Sequence, residues 1–383
     1  MTLITDQDAL AAFCARQANA DYLTVDTEFL RESTYWPILC LVQIAGPDEA
    51  AAVDPLAEGL DLTPLYELMA NERVLKVFHS ARQDVEIFVK LTGRVPTPLF
   101  DTQVAAMVCG FGESVGYETL VTKLAGVRID KSSRFTDWSR RPLTEKQLHY
   151  ALADVTHLRP IYDKLRRRLT KSGRERWLDE EMAVLTDAAT YIVEPRDAWQ
   201  RIKTRSSDPR FLAILRELAA WRETEAQKRN QPRGRILRDD ALIEIAAHAP
   251  RTVDELARTR GLTKNMAEGW QGAGLLAAVE RGLAVPPSER PRLEQRPELP
   301  PGIGPTVELL RVLLKMKCED NDVAQKLVAT VSDLEQIAAD DNADVPALHG
   351  WRRELFGEDA LALKHGRISL AIENGRVKVV PVT

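Results

Sequence analysis

Two carboxylates two residues apart interrupt an otherwise apolar stretch, Tyr22-Leu23-Thr24-Val25-Asp26-Thr27-Glu28-Phe29. In a strand, side chains alternate between faces, so Asp26 and Glu28 share one face with Thr24, their Cα atoms about 7 Å apart. Their side chains can then converge on a cation. Without one, two carboxylates about 4 Å apart repel by about 4 kcal/mol at an effective dielectric of about 20. The competing reading is a strand end with both acids in water. A third acid closes Val77-Phe78-His79-Ser80-Ala81-Arg82-Gln83-Asp84, a strand running into a helix. Ser80 and Gln83 have capping-box spacing, which makes Ser80 the N-cap and places His79 and Asp84 where an apolar staple usually sits. A His and an acid there break a local rule with no gain in stability. Asp84 also shares a face with Ile87, Phe88 and Leu91, although the helix dipole alone would favour an acid near that end. A fourth acid, Asp154, follows Tyr150 by four residues, which stacks phenol and carboxylate on one helix face. Leu148, Leu152 and Val155 bracket the pair, and a solvated face is the plain alternative. Four carboxylates from three separated segments in apolar settings are what a two-metal phosphodiester hydrolase requires.

The elements that must position these groups alternate between strand and helix over residues 1–192. Strands are expected at 22–29, 39–45, 50–54, 73–78 and 98–101, with helices at 62–70 and 81–91, a pattern that argues an α/β domain with a mixed sheet. Thr5 and Asp8 resemble an N-terminal capping box ahead of the apolar Leu10, Phe13 and Cys14. Thr144 and Gln147 form another after Pro142, opening a helix that can reach Leu169 with a kink or break at Pro160. Residues 207–285 read as a compact helical bundle, with helices starting near Phe211, Asp239, Thr252 and Thr263. Seven prolines between 286 and 305 mark a semi-rigid linker and make the units beyond the first domain look like appendages. Residues 306–383 form a last small unit, helical over 307–317 and 323–331, with Ser332 and Glu335 capping the next helix. It ends in a hairpin about Asn374-Gly375.

Composition sets the outer bounds. The 383 residues, 44% apolar and 28% charged, suit a soluble chain of two or three domains. Neither a signal-peptide core nor a membrane span is legible. The four cysteines, Cys14, Cys40, Cys109 and Cys318, have no paired spacing, which points to a reducing, cytoplasmic setting rather than zinc or disulfides. The net charge of −5 does not advertise nucleic-acid binding. Two local runs do: 164–176 carries seven basic residues against Glu175, and 228–238 carries Lys228, Arg229, Arg233, Arg235 and Arg238 with no acid. Solvated helix faces would give the same runs.

Asp26-Thr27-Glu28, Phe78 through Asp84, and Tyr150-x-x-x-Asp154 resemble the three motifs of the DEDD superfamily of 3′→5′ exonucleases. The fuller strings, Asp26 to Arg31 with Thr34 to Gln43 and Arg141-Pro142-Leu143 through Asp154-Val155, are similar to the bacterial ribonuclease D family. Trp221-Arg222 and Gly234-Arg235-Ile236-Leu237 resemble the helicase-and-RNase-D C-terminal (HRDC) domain, and 306–380 looks like a divergent second copy. The resemblance implies an RNase H-like α/β exonuclease domain at 1–192, an HRDC domain at 207–285, the linker at 286–305 and a second HRDC-like domain at 306–383. It implies metal ligands at Asp26, Glu28, Asp84 and Asp154 for two Mg²⁺ or Mn²⁺ ions, with Tyr150 orienting water. His149 also has the spacing of the superfamily's histidine branch, but five residues is about 140° off-face on a helix and four is about 40°. Phe29, His79 and Gln83 are the expected substrate contacts at the site, and Arg229, Arg233 and Arg235 the expected phosphate contacts.

The expected reaction is removal of nucleoside 5′-monophosphates from RNA 3′ ends by a monomer, on transfer-RNA precursors and other small structured RNAs. A DNA exonuclease of the same superfamily would use the same motifs. A non-catalytic RNA-binding scaffold would not need all four acids.

Overall fold

The computed structural model describes residues 2–130, 133, 136–293 and 299–382. Six strands make one mixed sheet: Thr2–Ile4 (β1), Tyr22–Leu30 (β2), Ile38–Ala45 (β3), Ala50–Val53 (β4), Leu75–Phe78 (β5) and Leu99–Asp101 (β6). Their order across the sheet is β1-β4-β3-β2-β5-β6. The β2–β3–β4 meander is antiparallel, and β5 and β6 add in parallel on the other side of β2. The parallel pairing of β2 with β5 covers only Tyr22 to Thr24. Beyond Thr24, β2 continues alone on that side, and a notch opens where its two acids lie. A bulge between Glu28 and Phe29 in the β2–β3 pairing follows directly, and a bulge re-aims the side chains after it.

Helices Gln7–Gln17 (α1), Thr63–Ala70 (α2), Arg82–Thr92 (α3), Thr102–Val108 (α4) and Tyr117–Leu120 (α5) pack around the sheet, and Glu145–Ser172 (α6) runs along it. The Thr144–Gln147 capping box opens α6 as expected. Pro160 lies inside α6 without ending it. The Thr24 hydroxyl donates to the Val155 carbonyl at 2.8 Å, and the Tyr22 hydroxyl bonds Asp163 at 2.9 Å. Successive residues on one face of β2 therefore meet successive turns of α6 in reverse order, which brings Asp26 to the turn holding Asp154.

Local signals misassign three caps. Thr2–Ile4 is a strand, so the cap of α1 is Asp6, not Thr5, and it accepts from Ala9 N. Ser80 does not cap α3: its φ is +61°, and the Asp101 carboxylate instead accepts from the Ser80 and Ala81 amides at 3.0 and 2.8 Å. Asp101 also accepts from Gln103 N at 2.7 Å, so one β6 carboxylate serves the starts of α3 and α4. In the C-terminal unit Thr330 and Asp333 form the capping box expected of Ser332 and Glu335, and of the 323–331 stretch only Gln325–Val328 and Val331, the first residue of the next helix, are helical. The Asn374-Gly375 hairpin forms, between Ile368–Glu373 (β7) and Arg376–Pro381 (β8).

Two further apolar cores follow that of the α/β domain. One spans Ala198 to Val279 around Pro209–Arg229 (α8), and the other spans Val307 to Ala360. Where helix Trp270–Ala284 crosses α8, a Cβ on Gly282 would lie 2.5 Å from Ile214 Cα, so only glycine allows that approach. Within 286–305, Pro287–Glu289 form a short 3-10 turn and a helix starts at Gly304, while 294–298 lie outside the described residues.

Both helical units are fastened to the first domain. The Tyr35 hydroxyl, buried just past β2, donates to the Glu223 carboxylate and accepts from Arg233 Nη2 at 3.0 Å and Gln227 Nε2 at 3.2 Å. The Asn230 side chain accepts from Trp36 N at 2.9 Å. Trp351 of the last unit stacks on Trp177 of Glu175–Thr186 (α7) with ring centroids 4.3 Å apart. Arg352 bonds Glu181 on the same helix.

Candidate active site

Oxygen atoms of Asp26, Glu28 and Asp154 all lie within 4.8 Å of one another. β2 supplies the first two from one face and α6 the third, at the point where the Thr24–Val155 bond locks strand to helix. Such proximity of anions is costly in a protein interior. Burial, and then the Asp154 charge, push Asp26 well above the ordinary carboxylate range.

Asp84 stands beside this trio rather than in it. It is buried in the first turn of α3, and burial followed by the Asp26 charge drives its carboxyl well up too. The Thr27 hydroxyl donates to Asp84 Oδ1 and works in the opposite sense by favouring the charged form. A hard, all-oxygen donor set of like charges fits Mg²⁺ or Mn²⁺ and does not fit a soft metal. A bound cation would offset the repulsion that these groups otherwise meet by holding protons.

A cavity of about 270 Å³ opens on Asp26 and Asp154. Tyr150 lines it beside Asp26 and Asp154, and shares a hydrogen bond with the Asp154 carboxylate. Burial, then the charges of Asp154, Glu28 and Asp26, push the Tyr150 phenol far up, so it stays protonated at neutral pH. His149 is exposed and does not line the cavity; burial first, and then nearby His149, lower the pKa of His157.

His79 also lines the cavity. Its Nδ1 lies 3.0 Å from Thr102 Oγ1, and that hydroxyl spends its only proton on the Phe78 carbonyl at 3.0 Å. The hydroxyl must therefore accept from Nδ1–H, which leaves Nε2 as the unprotonated nitrogen. Burial lowers the His79 pKa, in keeping with a neutral ring.

The structure does not bring the other expected contacts into this cavity. Phe29 packs against the main apolar core, and Gln83 is exposed on α3. Arg229 pairs with Glu225 at 2.8 Å and lies 3.5 Å over the Trp270 ring. Arg233 is engaged with Glu223 and Tyr35. Two of the three arginines expected to meet phosphates thus have partners within the protein, while Arg235 is exposed.

Several site residues carry no sequence signal. Tyr117, from α5, lines the cavity, donates to the Asp154 backbone carbonyl and sits 5.3 Å from the His79 ring. Gly116, Glu118 and Thr119 extend the same wall. Thr27, buried between Asp26 and Glu28, gives no signal in the strand pattern of its bond to Asp84 on α3.

Comparison with known proteins bears on this geometry. A 3′-5′ exonuclease family model matches residues 1–170, and the HRDC domain model matches 211–279. Ribonuclease D of Nitrobacter hamburgensis is 59% identical over 377 residues, covering 98% of both chains. Ribonuclease D of a Jannaschia species is 55% identical, covering 99% of each. The crystal structure of Escherichia coli RNase D, an exoribonuclease involved in structured RNA processing, superposes with a TM-score of 0.81 at 31% identity, over 95% of this chain and 98% of that one.

Proposed function

The chain belongs to the ribonuclease D family of 3′-5′ exoribonucleases, and from that premise we propose that Asp26, Glu28, Asp84 and Asp154 hold two divalent ions, Mg²⁺ or Mn²⁺, at which RNA 3′ ends are hydrolysed to nucleoside 5′-monophosphates. The convergence of three carboxylates within 4.8 Å, two of which, Asp26 and Asp154, line a cavity with Tyr150, carries this reading. Held by these carboxylates, the ions would supply Lewis acidity to the attacking water and the leaving 3′ oxygen.

The chain's own residues do the rest. Tyr150, kept protonated, is no base at neutral pH, so it orients water through its hydroxyl. Thr27 fixes the Asp84 carboxylate. Asp101 anchors the turn before α3 and so the reach of Asp84. His79 presents a neutral imidazole with Nε2 free to accept a substrate hydroxyl proton. Arg235 and the exposed side of the 228–238 run meet backbone phosphate, while Phe29 and Gln83 act only as outer contacts.

The proposed substrates are transfer-RNA precursors and other small structured RNAs with free 3′ ends. The working unit is a monomer with an exonuclease domain at 1–192, HRDC-type units at 207–285 and 306–383, and the linker at 286–305. A cytoplasmic setting agrees with four cysteines that are all free and buried. No helix among the described residues is long and apolar enough to cross a membrane.

The test is digestion of matched RNA and DNA by the purified chain with Mg²⁺, Mn²⁺ or chelator. Release of 5′-monophosphates from RNA only with metal is expected. Undiminished activity in chelator would refute the metal site, and equal degradation of DNA would refute the RNA preference.

A further inference from the structure

The last helical unit meets the first domain beside the catalytic cavity. Between α4 and α5 a loop runs from Cys109 to Gly116, and its end supplies Gly116 through Thr119 to the cavity wall. The loop backbone is left-handed at Gly110, Gly112 and Ser114, with φ of +78°, +100° and +58°. A non-glycine at such an angle persists only where its surroundings hold it.

Much of that hold comes from residues 322–326 of the last unit, where helix Gly304–Asp320 turns into Gln325–Val328. Ala324 N donates to the Met107 carbonyl at 3.1 Å, just ahead of the loop, and Lys326 N donates to Glu113 Oε1 at 3.2 Å, in its middle. Arg174 Nη1 joins the two sides by donating to the Val108 carbonyl at 3.1 Å and the Asp322 carbonyl at 3.2 Å. Arg168 pairs with the Asp322 carboxylate at 3.6 Å and lies 5.0 Å over the Phe111 ring. Two arginines of the basic run 164–176 are thus engaged along this seam. A Cβ on Gly110 would lie 2.6 Å from the Asp322 carbonyl oxygen, so turn and loop are in close contact. Leu327 packs against the apolar cores of both units. From α4 the loop receives Gln103 Nε2, which donates to the Val115 carbonyl at 3.2 Å.

The consequence falls on Tyr117. Its hydroxyl donates to the Asp154 backbone carbonyl, and its ring lies 5.3 Å from that of His79. Tyr117 opens α5, a helix of four residues. So short a helix does not hold itself in place, and the loop before it sets where the phenol sits. We propose that the last helical unit is a positioning element of the active site: its 322–326 turn fixes the 110–116 loop, with Glu113 as the positioning residue, and so places Tyr117 against Asp154 and His79. The proposal rests on the exoribonuclease reading and gives this unit a part in turnover that is separate from RNA capture.

The experiment uses the full chain with Glu113→Ala, Glu113→Gln and Arg174→Ala. Glu113 is exposed and does not line the cavity, and glutamine keeps an Oε1 acceptor for Lys326 N. Three quantities are measured: kcat and KM on a ribodinucleotide, affinity for a transfer-RNA-like RNA, and hydrogen exchange of the 110–119 amides in chelator without substrate. Glu113→Ala and Arg174→Ala are expected to lower kcat on the ribodinucleotide roughly tenfold, as a small misplacement at a site can, with KM nearly unchanged. Exchange at 110–119 should rise in both, while β2 exchanges as in wild type. Glu113→Gln should match wild type in rate and exchange. If the unit serves RNA capture alone, the alanine variants lose RNA affinity and keep the ribodinucleotide kcat, which overturns the proposal. Faster exchange at 110–119 with an unchanged kcat also overturns it, since the loop would then be held without being used. A wild type that cleaves no RNA overturns the functional reading instead, and unchanged exchange in the alanine variants would still refute the hold on the loop.

Discussion

The Thr27 hydroxyl donates to the Asp84 carboxylate, so the strand that presents Asp26 and Glu28 on one face grips another acid with the residue between them. Thr27→Val removes that donor at nearly constant volume. We expect activity to fall by about 10–100-fold, the usual cost of losing a partner of a metal-binding carboxylate, while Thr27→Ser retains most of it. A valine variant as active as wild type in Mn²⁺-saturated assays would show that Asp84 needs no such support.

Replacing Asp26, Glu28, Asp84 or Asp154 singly with alanine is expected to remove nearly all nuclease activity and leave the chain folded. Each loss relieves like-charge repulsion in the metal-free protein. Circular dichroism melting alongside single-turnover assays checks both halves. A variant keeping more than roughly a tenth of the wild-type rate would not have lost a ligand.

Tyr150→Phe is expected to damage turnover far more than His149→Ala. Tyr150 lines the cavity and bonds Asp154, whereas His149 is exposed. Paired kcat measurements decide, and an inactive His149→Ala beside a normal Tyr150→Phe would reverse the assignment.

The raised carboxyl groups of Asp26 and Asp84 set a pH dependence for the metal-free protein. The folded state holds protons that the unfolded state releases near pH 4. Their contribution to stability is therefore complete below that pH and is lost as pH rises through the folded values. In chelator, wild type should lose stability relative to Asp26→Asn between about pH 4 and neutrality. Mn²⁺ should restore the wild type at neutral pH and help the variant less. Parallel melting curves for the two in chelator would contradict the mutual repulsion.

Tyr35→Phe tests the fastening of the first helical unit. The buried hydroxyl lies among Glu223, Arg233 and Gln227, and its removal should cost about 1–3 kcal/mol. Denaturant unfolding reads the loss, and cleavage of a short single strand should be unaffected. A change below about 0.5 kcal/mol would mean that water replaces the hydroxyl without penalty.

The acids were legible because they violate patterns: Asp26 and Glu28 interrupt an apolar strand, and Asp84 sits on the core face of a helix. Five strands and the main helices of the first domain followed from alternation and periodicity, which report local burial well. What stayed hidden depends on distant partners. Ser80 and Gln83 have a cap's spacing, but Asp101, about twenty residues on, does the capping, and no local pattern encodes that. Tyr117 lies in a stretch without strong periodicity and reaches the site only through the packing of α5 on α6. Arg229 and Arg233 looked like free charge because Trp270, Glu223 and Tyr35 are remote in sequence. The prolines of the linker suggested loose appendages, and nothing near Trp177 or Trp351 announced that their rings would stack.

β2 pairs with β3 along the segment that carries its acids and with β5 as far as Thr24, where the Thr24–Val155 bond ties it to α6. The acidic constellation therefore has no hinge of its own. Local breathing of the kind that silences loop-borne active sites cannot disperse these carboxylates without pulling the central strand from its neighbours. Amide protons of β2 should be among the slowest to exchange, and heat inactivation should track global melting. In this protein catalytic competence is a direct gauge of whether the first domain is folded.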